Sequence, residues 1–76
     1  MMKKKNGSGP RLIKKIRIAL GFSQRQMGIR LLVSQSAVAH WESGYNIPAA
    51  PMALVLTRLA ATKKINVTIE DVRGES

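Results

Sequence analysis

The sequence predicts a compact all-α domain of four to five short helices, and three observations carry that expectation. The chain is 45% hydrophobic but only 4% aromatic, so its core must be built from Leu, Ile, Val, Ala and Met, a composition that favours helices. Two polar helix-start signals, at Ser23 and Ser34, stand eleven residues apart. Apolar residues recur at helical spacing before and after them. With 76 residues there is room for one domain with one modest core, and association with a partner would aid its stability.

Residues 1–9, MMKKKNGSG, have no hydrophobic periodicity and read as a flexible basic arm; residues 10–76 form the domain. Pro10 suits the first turn of a helix. Behind it Leu12, Ile13, Ile16 and Leu20 recur at helical spacing, with Lys14, Lys15 and Arg17 among them, and Gly21 ends the helix. Ser23 starts the next one. A serine at the cap position with Gln26 three residues later is a capping box, and Phe22 and Met27 are placed as its hydrophobic staple. Ser34 repeats the design with Val33 and Val38 as the staple pair, although Ala37 cannot complete the box. The reading is two successive helices, about Gln24–Leu31 and Gln35–Ser43, joined by a tight turn.

The stretch SGYNIP is a loop, with Gly44 in the C-cap position and Pro48 barring helix continuation. Pro51 opens a fourth helix, MALVLTRLAATKK, which is apolar around most of its circumference until the terminal lysines. Such a helix is buried in its own core or against a partner, and Met52, Val55, Leu56 and Leu59 exceed what a small core needs, which points to a dimer interface. In the tail, Ile65, Val67 and Ile69 alternate like a strand, yet Thr68 followed by Glu70 and Asp71 reads as a capped helical turn. The short helix is the favoured alternative. The sequon at Asn66, Val67 and Thr68 is incidental without a secretory signal.

Charge is distributed unevenly. The net charge is +9, and twelve of the thirteen Lys and Arg lie in residues 1–64, where Glu42 is the sole acid. Such a field attracts polyanions, either nucleic acid or an anionic membrane. The absence of cysteine excludes disulfides and thiolate chemistry and fits a reducing compartment. The basic start lacks the apolar run of a signal peptide, and no later stretch suits a membrane span. A soluble, cytoplasmic protein is expected. One His, four acids and no Cys leave no paired carboxylate and no metal cluster at ligand spacing. Catalytic residues, metal and cofactor are therefore all expected to be none, and the protein is not expected to be an enzyme.

Two short helices joined by a tight turn in a basic domain make the arrangement that inserts its second helix into the DNA major groove. On that helix Val38 and Trp41 face the core. Gln35, Ser36, Ala39 and His40 occupy the opposite side and offer amide, hydroxyl, methyl and imidazole groups, the chemistries that read base edges. Arg25 and the arm residues Lys3, Lys4 and Lys5 supply charge for the phosphate backbone.

The segment IRIALGFSQRQMGIRLLVSQSAVAHWESGYNIP resembles the phage repressor and Cro-type helix-turn-helix family, over about Ile16 to Leu59. The elements that carry the resemblance are Ser23-Gln24, Gly28, the run Val33 to Val38, and Trp41-Glu42-Ser43-Gly44 with Pro48 after it. The resemblance implies a repressor-like DNA-binding fold in which Gln24 meets a phosphate, Gln35, Ser36 and His40 sit at base-reading positions with Ala39 beside them, and Tyr45 and Asn46 approach the backbone. It also places an ion pair at Arg17 and Glu42. The family usually has glycine in the turn where this chain has Leu32. Either Leu32 adopts the left-handed conformation, at of order 1 kcal/mol, or the turn is built differently.

These readings converge on a sequence-specific transcriptional regulator, a homodimer bound to double-stranded DNA at a pseudo-palindromic operator. An alternative keeps the fold but makes a protein the partner, as in an antitoxin. A cationic membrane-active peptide, suggested by LIKKIRIALGF, gives no purpose to the capped helix pair.

Overall fold

The computed structural model describes residues 8–75, and they form five helices: α1 (Ser8–Ala19), α2 (Gln24–Leu31), α3 (Gln35–Ser43), α4 (Ala50–Ala61) and α5 (Ile69–Arg73). No strand occurs among the described residues. α1 packs against α3, α4 and α5, α4 also packs against α5, and α2 lies against α3. The helices enclose a core of Ile13, Ile16, Met27, Leu31, Val38, Trp41, Ala53, Leu56, Ala60 and Val72. Every helix contributes to it. That interior is aliphatic except for Trp41, as the composition requires.

α1 begins at Ser8, so Ser8 and Gly9 belong to the first helix rather than to the arm. The reason is contact with α5. A Cβ on Gly9 would stand 2.6 Å from the carbonyl oxygen of Val72, and only glycine permits that approach.

The local start signals act as read from the sequence. Ser23 Oγ accepts from Gln26 N–H at 3.0 Å, and Gln26 Oε1 accepts from Ser23 N–H at 2.8 Å, which completes the box. Ser34 Oγ accepts from Ala37 N–H at 3.0 Å without a reciprocal bond. In the tail the helical alternative holds: Thr68 and Asp71 exchange side-chain and backbone bonds, both 3.0 Å. Ile65, Val67 and Ile69 pack as partly buried residues on the core edge rather than as a strand.

α4 requires two corrections. It ends at Ala61, and Lys63 and Lys64 lie in the following turn, where Lys64 takes φ 59°. Of the four residues assigned to a dimer surface, Leu56 is fully buried, and Met52 and Leu59 pack against the core. Only Val55 stays on the surface, beside Leu54, each 39% exposed. Uniform apolarity had concealed which side faces inward.

The turn between α2 and α3 is Leu32–Ser34, and Leu32 is left-handed, at φ 62° and ψ 40°. Leu32 N–H donates to the Ile29 carbonyl at 3.3 Å and Val33 N–H to the Gly28 carbonyl at 2.9 Å, so the turn keeps the bonds of a Schellman motif despite the missing glycine. Gly28 lets the chain pass: a Cβ there would be 2.8 Å from the Val33 carbonyl oxygen. The Leu32 side chain is 92% exposed and stabilises nothing in return for its strained backbone. Relief of about 1–2 kcal/mol of left-handed strain, less about 0.5–1 kcal/mol for the freedom glycine adds to the unfolded chain, favours Leu32→Gly by up to about 1.5 kcal/mol. Its melting temperature should rise by a few degrees, to at most about 12 °C, in a calorimetric scan. A fall would mean that Leu32 makes a stabilising contact.

Candidate nucleic-acid interface

The position of α3 is set by a polar network at its C-terminal half. Arg17 on α1 donates from Nε to Glu42 Oε2 at 2.6 Å and from Nη2 to Glu42 Oε1 at 3.0 Å. Its third nitrogen, Nη1, donates to the Phe22 carbonyl at 2.8 Å. The two side chains are 13% and 6% exposed. The ion pair implied by the resemblance is therefore present, bidentate and largely buried. The hydrogen bond with Glu42 raises the Arg17 pKa above its ordinary value, with charge attraction adding and burial opposing. A raised folded-state value means that the protonation of Arg17 favours the folded chain below the arginine range, and that this contribution is lost as pH rises through it.

Gln24 enters the same network. Its Nε2 donates to Glu42 Oε1 at 3.2 Å, an internal partner that sequence did not reveal. An amide nitrogen carries two hydrogens, so the bond to Glu42 orients the group and leaves a second donor. Gln24 is half-buried, whereas Arg25 next to it is exposed.

On α3, Val38 and Trp41 are buried. Gln35, Ser36 and His40 are exposed and Ala39 is half-buried, so the four lie on the side away from the core. Both exposed loop residues assigned to the DNA backbone, Tyr45 and Asn46, come after the C-cap Gly44 of α3, and their N–H groups donate to the His40 carbonyl at 2.9 and 3.3 Å. Gly44, at φ 82°, turns the chain there. The His40 and Tyr45 rings stand 4.8 Å apart between centroids, inclined by 47°. The fold thus brings a residue of the helix face and a residue of the loop into one patch. Lys3, Lys4 and Lys5 lie outside the described residues.

Arg30, exposed on α2, and Arg11, Lys14 and Lys15, exposed on α1, were not singled out from sequence. Their positions on solvated helix faces were legible from periodicity alone. Among the described residues, no helix is long and apolar enough to cross a membrane, and no three or more His, Cys, Asp or Glu side chains are grouped to hold a metal ion.

A family described as helix-turn-helix, of the Cro/C1 type, matches residues 13–61, close to two thirds of the chain. The chain belongs to that family. Members of the Cro/C1-type helix-turn-helix family are DNA-binding transcriptional regulators, and α2, the turn and α3 fall inside the matched segment. Helix α5 falls outside it. No curated protein and no solved structure gives a significant match.

Removing one partner of a buried ion pair costs about 3–5 kcal/mol, against under about 1 kcal/mol for an exposed pair. Glu42→Gln keeps one acceptor, so its loss should fall near the lower end of the buried range. The melting temperature should drop by about 12 °C or more, using about 4–8 °C per kcal/mol for a domain of this size. A change of under about 4 °C would mean that the pair contributes as an exposed one does.

Proposed function

We propose that the protein is a sequence-specific regulator that reads double-stranded DNA through the α3 face of Gln35, Ser36, Ala39 and His40. The observation that carries this reading is the face itself, which is polar, uncharged and turned away from the core on the second helix of the pair. A phosphate-only binder needs cations there, whereas this surface offers hydrogen-bonding groups and a methyl. Gln35, at the first position of α3, can project into the major groove and pair with adenine through its amide. Ser36 can bond a base or a phosphate, the Ala39 methyl can meet a thymine methyl, and His40 can reach a purine acceptor. Around the face, Gln24, Arg25, Tyr45 and Asn46 contact the sugar-phosphate backbone, and Lys3, Lys4 and Lys5 extend those contacts.

The protein acts as a homodimer on a pseudo-palindromic operator, in the cytoplasm, and exposed Leu54 and Val55 on α4 are the apolar groups available to a second copy.

The test is selection of bound sequences from a random duplex pool, followed by measurement of each variant against every single-base substitution of the selected site. An inverted repeat supports the dimer; a single half-site opposes it. Gln35→Ala and His40→Ala should alter preference at particular positions by about 1–3 kcal/mol. Arg25→Ala should weaken all sequences alike, and loss of Lys3, Lys4 and Lys5 should flatten the salt dependence by up to about 0.9 per phosphate contact. Uniform losses for Gln35→Ala and His40→Ala would sink the base-reading assignment.

A further inference from the structure

The loop that carries Tyr45 and Asn46 is weakly held by its own backbone. Its first two N–H groups are tied to His40, but among the described residues no backbone–backbone hydrogen bond involves Ile47 or Pro48. Pro48 has no N–H to give. Packing holds only the far end of the segment, where Pro48 is buried; Asn46 and Ile47 are exposed and border an open groove of about 440 Å³ that Pro10, Val72 and Gly74 also line. Ile47 is 57% exposed.

One bond crosses that gap. Arg73, the last residue of α5, donates from Nε to the Pro48 carbonyl at 3.0 Å. The far side of its guanidinium donates from Nη1 to Glu75 Oε2 at 2.8 Å. Glu75 is brought back beside Arg73 by Gly74 at φ 75°, with Glu75 N–H on the Glu70 carbonyl at 2.7 Å. α5 is seated on α1 through Gly9 and on the core through Val72. The chain of constraint therefore runs from core to α5, from α5 to Arg73, and from Arg73 to the loop.

We propose that Arg73 is a positioning residue for the loop, and that α5, which lies beyond the segment shared with the family, serves DNA binding by holding Tyr45 and Asn46 in place. The DNA half of this statement rests on the function proposed above. Arginine suits the task because its planar fork makes two bonds in fixed directions, one to the loop and one to the carboxylate that aims it. Ordering the loop in the free protein spares that cost on binding. The consequence is affinity for the backbone, not sequence preference.

The test compares the full chain with Arg73→Met, Arg73→Lys and Glu75→Gln, and with Lys63→Met as a control that removes one exposed positive charge elsewhere. Backbone order parameters are measured on the free proteins, and affinity for a random-sequence duplex of two helical turns across a salt series. In Arg73→Met the order parameters of Ile47 and Ala49 should fall from the rigid range, about 0.85, toward about 0.6, while the helices stay unchanged. Glu75→Gln should fall between, and Arg73→Lys should restore part of the order. Arg73→Met should bind several-fold more weakly than Lys63→Met with the same salt slope, because the loop residues Tyr45 and Asn46 carry no charge and release no counterions.

Order parameters that stay at parent values in both Arg73→Met and Glu75→Gln overturn the proposal, as does a fall spread over every helix, which would mark a role in global stability alone. A loosened loop with affinity equal to that of Lys63→Met overturns the link to DNA and removes Tyr45 and Asn46 from the interface. Failure of the parent chain to bind any duplex would be failure of the DNA reading, seen separately from the order parameters, which still decide whether Arg73 holds the loop.

Discussion

The Arg17–Glu42 pair is the constraint from which the geometry of the helix pair follows. One guanidinium reaches α3 through Glu42 and the α1–α2 connection through the Phe22 carbonyl, and the same carboxylate receives the Gln24 amide of α2. Three helices thus meet at one polar point on the edge of an otherwise apolar interior. Desolvation offsets much of the Coulomb attraction in such a pair, and burial of Ile13, Ile16, Met27, Val38 and Trp41 supplies the bulk of the folding free energy. The particular contribution of the pair is directional. Aliphatic side chains tolerate rotation of α3 about its axis, whereas a bidentate contact does not.

At its other end α3 is fixed by the turn. Leu32 holds a left-handed backbone that glycine would adopt without strain, yet the Schellman bonds are intact and Gly28 still admits the crossing chain. The strain is small beside the burial of Val38 and Leu31 on either side of the turn. Substitution of glycine by leucine therefore changes stability rather than the path of the chain.

How much of this was legible in the sequence depends on the range of the signal. Caps and staples act within about four residues, so the starts of α2, α3 and α5 could be read from Ser23, Ser34 and Thr68. Core positions on α1 and α3 followed from periodicity, because each helix has one apolar face and one polar face. On α4 that contrast is missing, and Leu54 could not be separated from Leu56 until a neighbour was in place. Contacts across the fold left no local trace. The Gly9 approach to α5, the Gln24 bond to Glu42 and the Arg73 bond to Pro48 join residues 18 or more positions apart, and only the packed domain brings them together. The outward face of α3 was legible because exclusion of Val38 and Trp41 to the core dictates which residues remain outside. The pairing of His40 with Tyr45 was not, since it depends on how Gly44 turns the chain.

The account as a whole rests on α3 entering DNA with its outer face forward, and heteronuclear NMR of the protein bound to its selected operator tests that most directly. Intermolecular contacts are predicted from Gln35, Ser36, Ala39 and His40 to base protons of the major groove, with Tyr45 and Asn46 near sugar protons and no DNA contact from the outer surfaces of α4 and α5. Contacts confined to Arg11, Lys14 and Lys15 on α1, with the α3 resonances unmoved, would contradict it.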